Sequence, residues 1–232
     1  MESKVRAVSR RTRSAGTASK SAERKSAVRD AAATSRRIIE AATAEFAERG
    51  YEGARVDRII ASAGCNMRMI YHYFESKEGL YAAVLESIYE DIRSKEHRLA
   101  LDHLEPVAGI AALVDFTFSH FVENQTFVRL TLNENLQRGV HIAKSRRIPQ
   151  ISSPLIGQIT GLLDRGVSTG VFRKAVDPLQ FYITIVALSC HHINNAHTLS
   201  ATFDTDITSA AWRAERRRHV HQIVLSYLTD LR

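Results

Sequence analysis

An all-α fold is what this 232-residue sequence predicts, and three observations carry the prediction. Apolar residues recur at steps of three and four from Thr34 onward. Glycines and prolines fall between these runs. No stretch alternates apolar with polar residues between hairpin turns. The expected layout is a basic arm over residues 1–33, an N-terminal three-helix helix-turn-helix domain over residues 34–80, and a larger helical domain over residues 81–232.

The arm holds nine basic and three acidic side chains among many Ser, Thr and Ala, so disorder is expected until a helix begins near Thr34. A basic arm of this kind can follow a DNA backbone, enter a minor groove, or simply stay solvated. From Thr34, the residues Ile38, Ile39, Ala42 and Phe46 give an amphipathic helix that stops at Gly50. Its apolar face can cover the two short helices that follow.

Those helices lie between Arg55 and Glu78. Val56, Ile59, Ile60 and Ala63 fall at helical spacing, Gly64 breaks the pattern, and Asn66 can cap a second helix with Ile70 and Phe74 four apart. Two short helices joined by a tight Gly turn make a helix-turn-helix. With Ile70 and Phe74 inward, Arg68, Met69 and His72 point outward, and Met67, Tyr71 and Tyr73 flank the buried edge. Cation, aromatic hydroxyl and apolar groups on one surface suit a major groove, where bases offer acceptors and thymine methyls. Ser76 caps a third helix with Lys77 in its first turn. A cation there opposes the helix macrodipole, so phosphate contact is its expected role.

The third helix carries Leu80, Val84, Ile88 and Ile92 at steps of four and runs past what a small domain requires. Further helices are expected from Pro106 to about Glu123, from about Thr126 to Arg138 with a stop at Gly139, from Leu155 to Val167 after a loop or helix start bracketed by Pro149 and Pro154, and from Asp177-Pro178 to about Asn194. The last of these is apolar nearly all round through Leu179, Phe181, Ile183, Ile185, Val186, Ala187 and Leu188. Val220, Ile223, Val224, Tyr227, Leu228 and Leu231 form a clean stripe on the C-terminal helix.

Composition narrows the function classes. Lys and Arg number 32 against 25 Asp and Glu, a net charge of +7 that favours a polyanionic partner. No apolar run has the length of a spanning helix, and no signal-peptide core follows the basic N-terminus, so a soluble cytoplasmic protein is expected. Cys65 and Cys190 are too few for a disulfide framework, and Cys65 is expected to pack as a small apolar group in the helix-helix turn. His191, His192 and His197 are dense but lack the i, i+4 spacing of a helical metal pair, so packed or hydrogen-bonded histidines are expected rather than a metal site. Arg213 to Arg218 read as a solvated helix face before the Val220 stripe. No phosphate loop, nucleophile elbow or dinucleotide fingerprint is present; neither catalytic residues nor a cofactor are expected.

The stretch from about Ile38 to Leu85 resembles the TetR family of one-component bacterial regulators. The resemblance lies in Phe46-Ala47-Glu48-Arg49-Gly50-Tyr51, the Ala63-Gly64 turn, Ile70-Tyr71-His72-Tyr73-Phe74 and Ser76-Lys77-Glu78. Two departures stand out. Arg55 replaces the usual Ser or Thr before the first short helix, and Met67-Arg68-Met69 stands where a Lys-Gly-Thr-like run is common. The resemblance implies a ligand-responsive transcriptional repressor that leaves a palindromic operator when a small molecule enters the helical body. It makes the large domain a ligand-binding and dimerisation domain, and Ile183, Ala187, Val220, Ile223, Val224 and Tyr227 candidates for a homodimer interface. Periodicity by itself fits an intrachain core equally well. Candidate base contacts are Arg68, Met69 and Tyr71, with Met67 beside them; Asn66 is the cap; Arg55, His72, Tyr73 and Lys77 are candidates for phosphate.

His120, Asn133 and Tyr182 are polar-capable groups in apolar helices and candidates for an effector pocket, against the alternative of exposed or satisfied core groups. Arg129 to Gly139, with Asn195-Ala196-His197-Thr198-Leu199-Ser200, is faintly similar to TetR relatives controlling degradation of pyrimidines or nicotinate-like heterocycles. That similarity implies a nitrogen heterocycle or aromatic acid as effector. A nonspecific architectural DNA-binding protein using the basic tail is the alternative from another class.

Overall fold

The computed structural model describes the backbone of residues 9–230 and the side chains of residues 29–230. Among these residues there are ten α-helices, two short 3-10 turns and no strand. The expected all-α class is what is observed.

The first helix, α1 (Ser9–Gly53), begins well before Thr34, which corrects the expected start. The stretch is rich in Ala and Arg and free of Pro, so backbone propensity favours helix where there is no apolar face to bury. The expected disorder of residues 1–8 lies outside the described residues. What changes near Thr34 is packing: residues 29–37 are exposed or half-buried, and Ile38 is the first fully buried side chain described. The stop at Gly50 appears as a break in α1, with φ 67° and ψ 177°.

Three helices complete the head: α2 (Val56–Ala63), α3 (Met67–Phe74) and the N-terminal half of α4 (Lys77–His97). Gly64 ends α2 in the left-handed region, φ 61° and ψ 42°, and its N–H reaches the Ile60 carbonyl. Gly79 is required for a different reason, since a Cβ there would sit 2.0 Å from the Phe74 carbonyl oxygen. The head's core runs through Ile38, Phe46, Ile59, Ile70, Phe74, Leu80, Tyr81 and Leu85. It also takes in Leu130 and Ile148 from the larger domain, so packing crosses the boundary expected at residue 80.

The body comprises the rest of α4 with α5 (Pro106–Glu123), α6 (Gln125–Leu136), α7 (Arg147–Ser168), α8 (Pro178–Asn194), α9 (Ala196–Phe203) and α10 (Ala210–Thr229). Pro106 opens α5, and the Asp177 carboxylate accepts the Gln180 N–H at 2.7 Å to cap α8, both as expected. Of the loop or helix start expected around Pro149 and Pro154, the helix start is what is observed, with α7 beginning at Arg147 and continuing through both prolines. Pro149 sits in the first turn of α7, where amide groups have no intrahelical partner. Pro154 lies inside the helix, and the Gln150 carbonyl it leaves unpaired is taken by the Ser153 hydroxyl at 3.2 Å. The body's main core joins Leu113 and Phe118 of α5, Ile159 and Leu162 of α7, Phe181 and Ile185 of α8, and Val220, Val224 and Leu228 of α10.

Candidate DNA-reading face and effector cavities

The recognition surface follows from how α3 is anchored. Asn66 caps it, the side-chain oxygen accepting the Met69 N–H at 3.1 Å, while Ile70 and Phe74 fill the head's core. That fixes the helix about its axis and leaves Met67, Arg68, Met69, Tyr71 and His72 outward, with Tyr71 52% exposed. Among the described residues Arg68 has no intramolecular partner, so its guanidinium is available for paired acceptors such as O6 and N7 of guanine. Tyr73 is half-buried against the core, its ring 5.1 Å from that of His72, and is less accessible than Tyr71.

Arg55 and Lys77 frame this face. Arg55 offers no side-chain cap to α2; its backbone N–H is accepted by Glu45 of α1 at 3.0 Å, the same carboxylate that receives the Arg58 Nε at 2.7 Å. These contacts hold the Glu45 carboxyl below the usual carboxylate range, the Arg58 hydrogen bond first among them. The exposed Arg55 side chain meets the exposed Asp57 at 3.5 Å, a weak surface pair. Lys77 is already engaged: half-buried, it lies 4.8 Å from the centre of the Tyr51 ring and 3.5 Å from the Glu52 carbonyl. Its place against the macrodipole thus has an internal explanation beside the phosphate one. Cys65 packs half-buried on the head's core, and burial pushes its thiol up.

The three candidate effector residues do not share one cavity. His120 is buried among Phe116, Phe121 and Phe127 and lines a cleft of about 470 Å³ between α1, α4, α5 and α6. Its Nε2 has no partner, and burial pushes it down to about 4, so it is neutral. Tyr182 lines a separate cavity of about 280 Å³ between α4, α5, α6 and α8. Asn133 lines neither of these: its side chain lies 3.7 Å from the position a Cβ would take on Gly50, at the seam between α6 and α1.

Two charged clusters were missed from the sequence. At the α4–α8 contact, Arg93 Nη1 pairs with Glu96 Oε2 at 2.9 Å and Arg93 Nη2 donates to the Tyr182 hydroxyl at 3.1 Å; that hydroxyl donates to Glu96 Oε1 at 3.1 Å. Burial pushes Glu96 up to about 7. At the seam between head and body, buried Glu134 accepts the backbone N–H groups of His141 at 2.7 Å and Ile142 at 3.0 Å and meets His141 Nδ1 at 3.0 Å. The His141 ring packs on Tyr51 and Tyr81 of the head.

The candidate dimer residues divide. Val220 and Val224 turn into the chain's own core and are corrected as interface residues, because the α10 stripe is wide enough to have two edges. Ile183, Ala187, Ile223 and Tyr227 remain on the outside, with Ile183 51% and Tyr227 47% exposed. His192 is likewise internal, stacked on Phe118 with Trp212 nearby. Arg216 reaches the Leu188 carbonyl at 3.2 Å, while Arg217 and Arg218 are solvated.

Comparison with known proteins agrees with this architecture. Residues 38–84 match the family described as "Bacterial regulatory proteins, tetR family", and residues 106–224 match "Tetracyclin repressor-like, C-terminal domain". The HTH-type transcriptional repressor NicS of Pseudomonas putida is 32% identical over 188 residues, covering 81% of this chain and 89% of that protein. In fold, the chain is similar to the FadR regulator of Bacillus subtilis in complex with stearoyl-CoA (TM-score 0.58, 17% identity, 82% of this chain and 97% of that one). It is also similar to the ketosteroid transcriptional regulator KstR2 of Mycobacterium tuberculosis (TM-score 0.59, 21% identity, 84% and 95%). With both its head and its body matched, the chain belongs to the TetR family of bacterial transcriptional regulators.

Proposed function

We propose that this chain is a homodimeric cytoplasmic repressor that grips a palindromic operator with two copies of α3 and releases it when a small-molecule effector, a nitrogen heterocycle or aromatic acid, enters the body. The observation that carries the reading is the anchored recognition helix, with Ile70 and Phe74 inward and Arg68, Met69 and Tyr71 outward. The working division is a DNA-reading unit over residues 34–80 and a ligand-binding and dimerisation body over residues 81–232. Arg68, Met69 and Tyr71 read bases; Arg55, His72 and Tyr73 contact phosphate, and Lys77 does so if it leaves Tyr51. A short recognition helix reads few base pairs, and a two-fold pair of half-sites about 34–36 Å apart supplies the rest. The exposed apolar residues Leu179, Ile183, Ile223 and Tyr227 on neighbouring helices support pairing through α8 and α10.

Release is a population shift. Ligand favours a dimer whose recognition helices no longer match successive major grooves. α4 runs from the head into the body, and the Glu134–His141 contact ties the end of α6 to the head, so displacement in the body has two routes to α3. The similarity to FadR, whose solved complex holds stearoyl-CoA, supports a helical body that accommodates small organic molecules.

The test is operator selection from genomic DNA with purified protein, followed by binding of Arg68→Ala. A preferred palindrome whose specificity relaxes at one base position in the variant is expected. Unchanged affinity and preference for Arg68→Ala would overturn the orientation assigned to α3. Tight, salt-sensitive binding with no preferred palindrome would favour the architectural alternative.

A further inference from the structure

The cavity between α4, α5, α6 and α8 has a chemistry of its own. One side is aromatic: Tyr89, Phe121 and Phe127 approach one another edge to face, with centroids 5.7 Å apart for Tyr89–Phe127 and 6.0 Å for Phe121–Phe127. The same lining includes Arg93 and Tyr182. Its volume of about 280 Å³ is at the small end of ligand sites, room for one or two rings and not for a long acyl chain.

Arg93 is the unusual member. It is largely buried, its Nη atoms are committed to Glu96 and Tyr182, and its Nε has no hydrogen-bond partner. A buried donor left unmade is expensive, and a guanidinium fork is built to take a carboxylate on two donors at once. Its present carboxylate, Glu96, is the weak point of the pair, because Glu96 is almost wholly buried and hence costly to keep ionised.

We propose that this cavity binds a small aromatic or heteroaromatic carboxylate, whose carboxylate displaces Glu96 on Arg93 while its ring packs among Tyr89, Phe121 and Phe127. This rests on the effector-responsive reading above and names the site within the body. Charge balance explains how a second anion is accommodated beside Glu96. Burial already pushes the Glu96 carboxyl up to about 7, so on losing Arg93 it takes a proton and the site keeps one anion. Arg93 on its own helix and Tyr182 from α8 are the charged and titratable groups in contact with it. Glu90 and His97 of α4 line the adjoining cavity, with Glu90 held by Arg147; the α7 side of that cavity offers the neutral amides of Gln150 and Gln158. Since Glu96 and Arg93 lie on α4, displacing one from the other acts directly on the helix that continues into the head.

The test is calorimetric titration of the free full-length protein, without DNA, using benzoate and nicotinate against their neutral amides and against stearate. Binding of at least one aromatic acid, with its amide and stearate weaker by about tenfold or more, is expected from the loss of a charged hydrogen bond. Affinity should fall about tenfold between about pH 6 and pH 8 as Glu96 ceases to accept the proton, and Glu96→Gln should flatten that dependence. The double variant Arg93→Met/Glu96→Gln removes both charges, and its thermal melt reports whether it is folded; it should lose the preference for acid over amide. Equal binding of acid and amide, unchanged acid binding in the folded double variant, or no binding of either acid at millimolar concentration would each overturn the assignment. Because DNA is absent, these outcomes are separate from any failure of operator recognition.

Discussion

Head and body are both helical, yet they bury different things. The head's core is an apolar block in which Phe46 touches Tyr51 and Tyr81, and the polar groups buried against it are few: the Tyr81 hydroxyl and, at the seam, Glu134 and His141. The body buries His120, His192 and Glu96, with Arg93 nearly so, beside its apolar clusters. A reader of DNA needs one fixed presentation of α3, and close apolar packing supplies it. A sensor needs groups whose partners can change, and incompletely satisfied polar groups in a low-dielectric interior are the ones with most to gain from a ligand.

The largest effect is expected where the head is broken. Phe46→Ala removes a fully buried ring shared by α1 and α4 and should destabilise the protein by about 3–5 kcal/mol, read by urea denaturation. Operator affinity should collapse with it. A loss under about 1 kcal/mol would mean that the head closes over the cavity rather than holding one fixed packing, and the contrast would fail.

Acid should find the body first. Burial pushes His120 and His192 down to about 4 from an ordinary value of 6.5, so the folded chain prefers them neutral. That preference contributes fully above about pH 6.5 and is lost as pH falls toward the folded value; each histidine should remove about 2 kcal/mol by about pH 5. Glu96 has the opposite sign. Its raised value means the folded chain holds that proton more tightly, a contribution that is complete below about pH 4.5 and lost as pH rises through about 7. His192→Phe, which keeps the stack on Phe118, should therefore lose less stability between about pH 7 and pH 5 than the parent, and denaturation at the two pH values measures the difference.

A smaller effect separates the recognition helix from its support. Asn66→Ala removes the cap of α3 and should cost about 1 kcal/mol in denaturation. Operator affinity should fall while the response to effector stays intact. A variant that lost the response instead would place Asn66 in the coupling rather than in the reader.

This contrast also explains what could be read from the chain. The head was legible because helical periodicity, Gly64, Asn66 and Ser76 all point the same way, and the exposed face of α3 follows from the two buried residues. The body's helices were legible too, apart from α9, which no periodic run announced, and the turn around Pro154, where the Gln150 carbonyl is taken by the Ser153 hydroxyl. Which edge of the α10 stripe faces inward was not, because periodicity gives a face and not its partner. The buried charges left a trace that periodicity could have found. Extending Val84, Ile88 and Ile92 by one more step of four lands on Glu96, and a step of four from Leu130 lands on Glu134. A carboxylate in register with an apolar stripe is buried unless the helix has ended.

Asn133 gives the smallest and sharpest test. Its polar side chain in an apolar helix suggested a ligand contact, but it packs at Gly50, where α1 breaks with φ 67° and where a side chain on the glycine would be strained. It therefore touches the break in α1 from the body's side. Asn133→Ala should change stability by no more than about 0.5 kcal/mol, since the half-exposed amide leaves no buried donor behind. Effector affinity measured on the free protein should be unchanged, whereas the effector concentration needed to release operator should shift, because the seam carries displacement between the two regions. An altered affinity for the effector itself would return Asn133 to the pocket and weaken the case that α6 and α1 meet there as a joint.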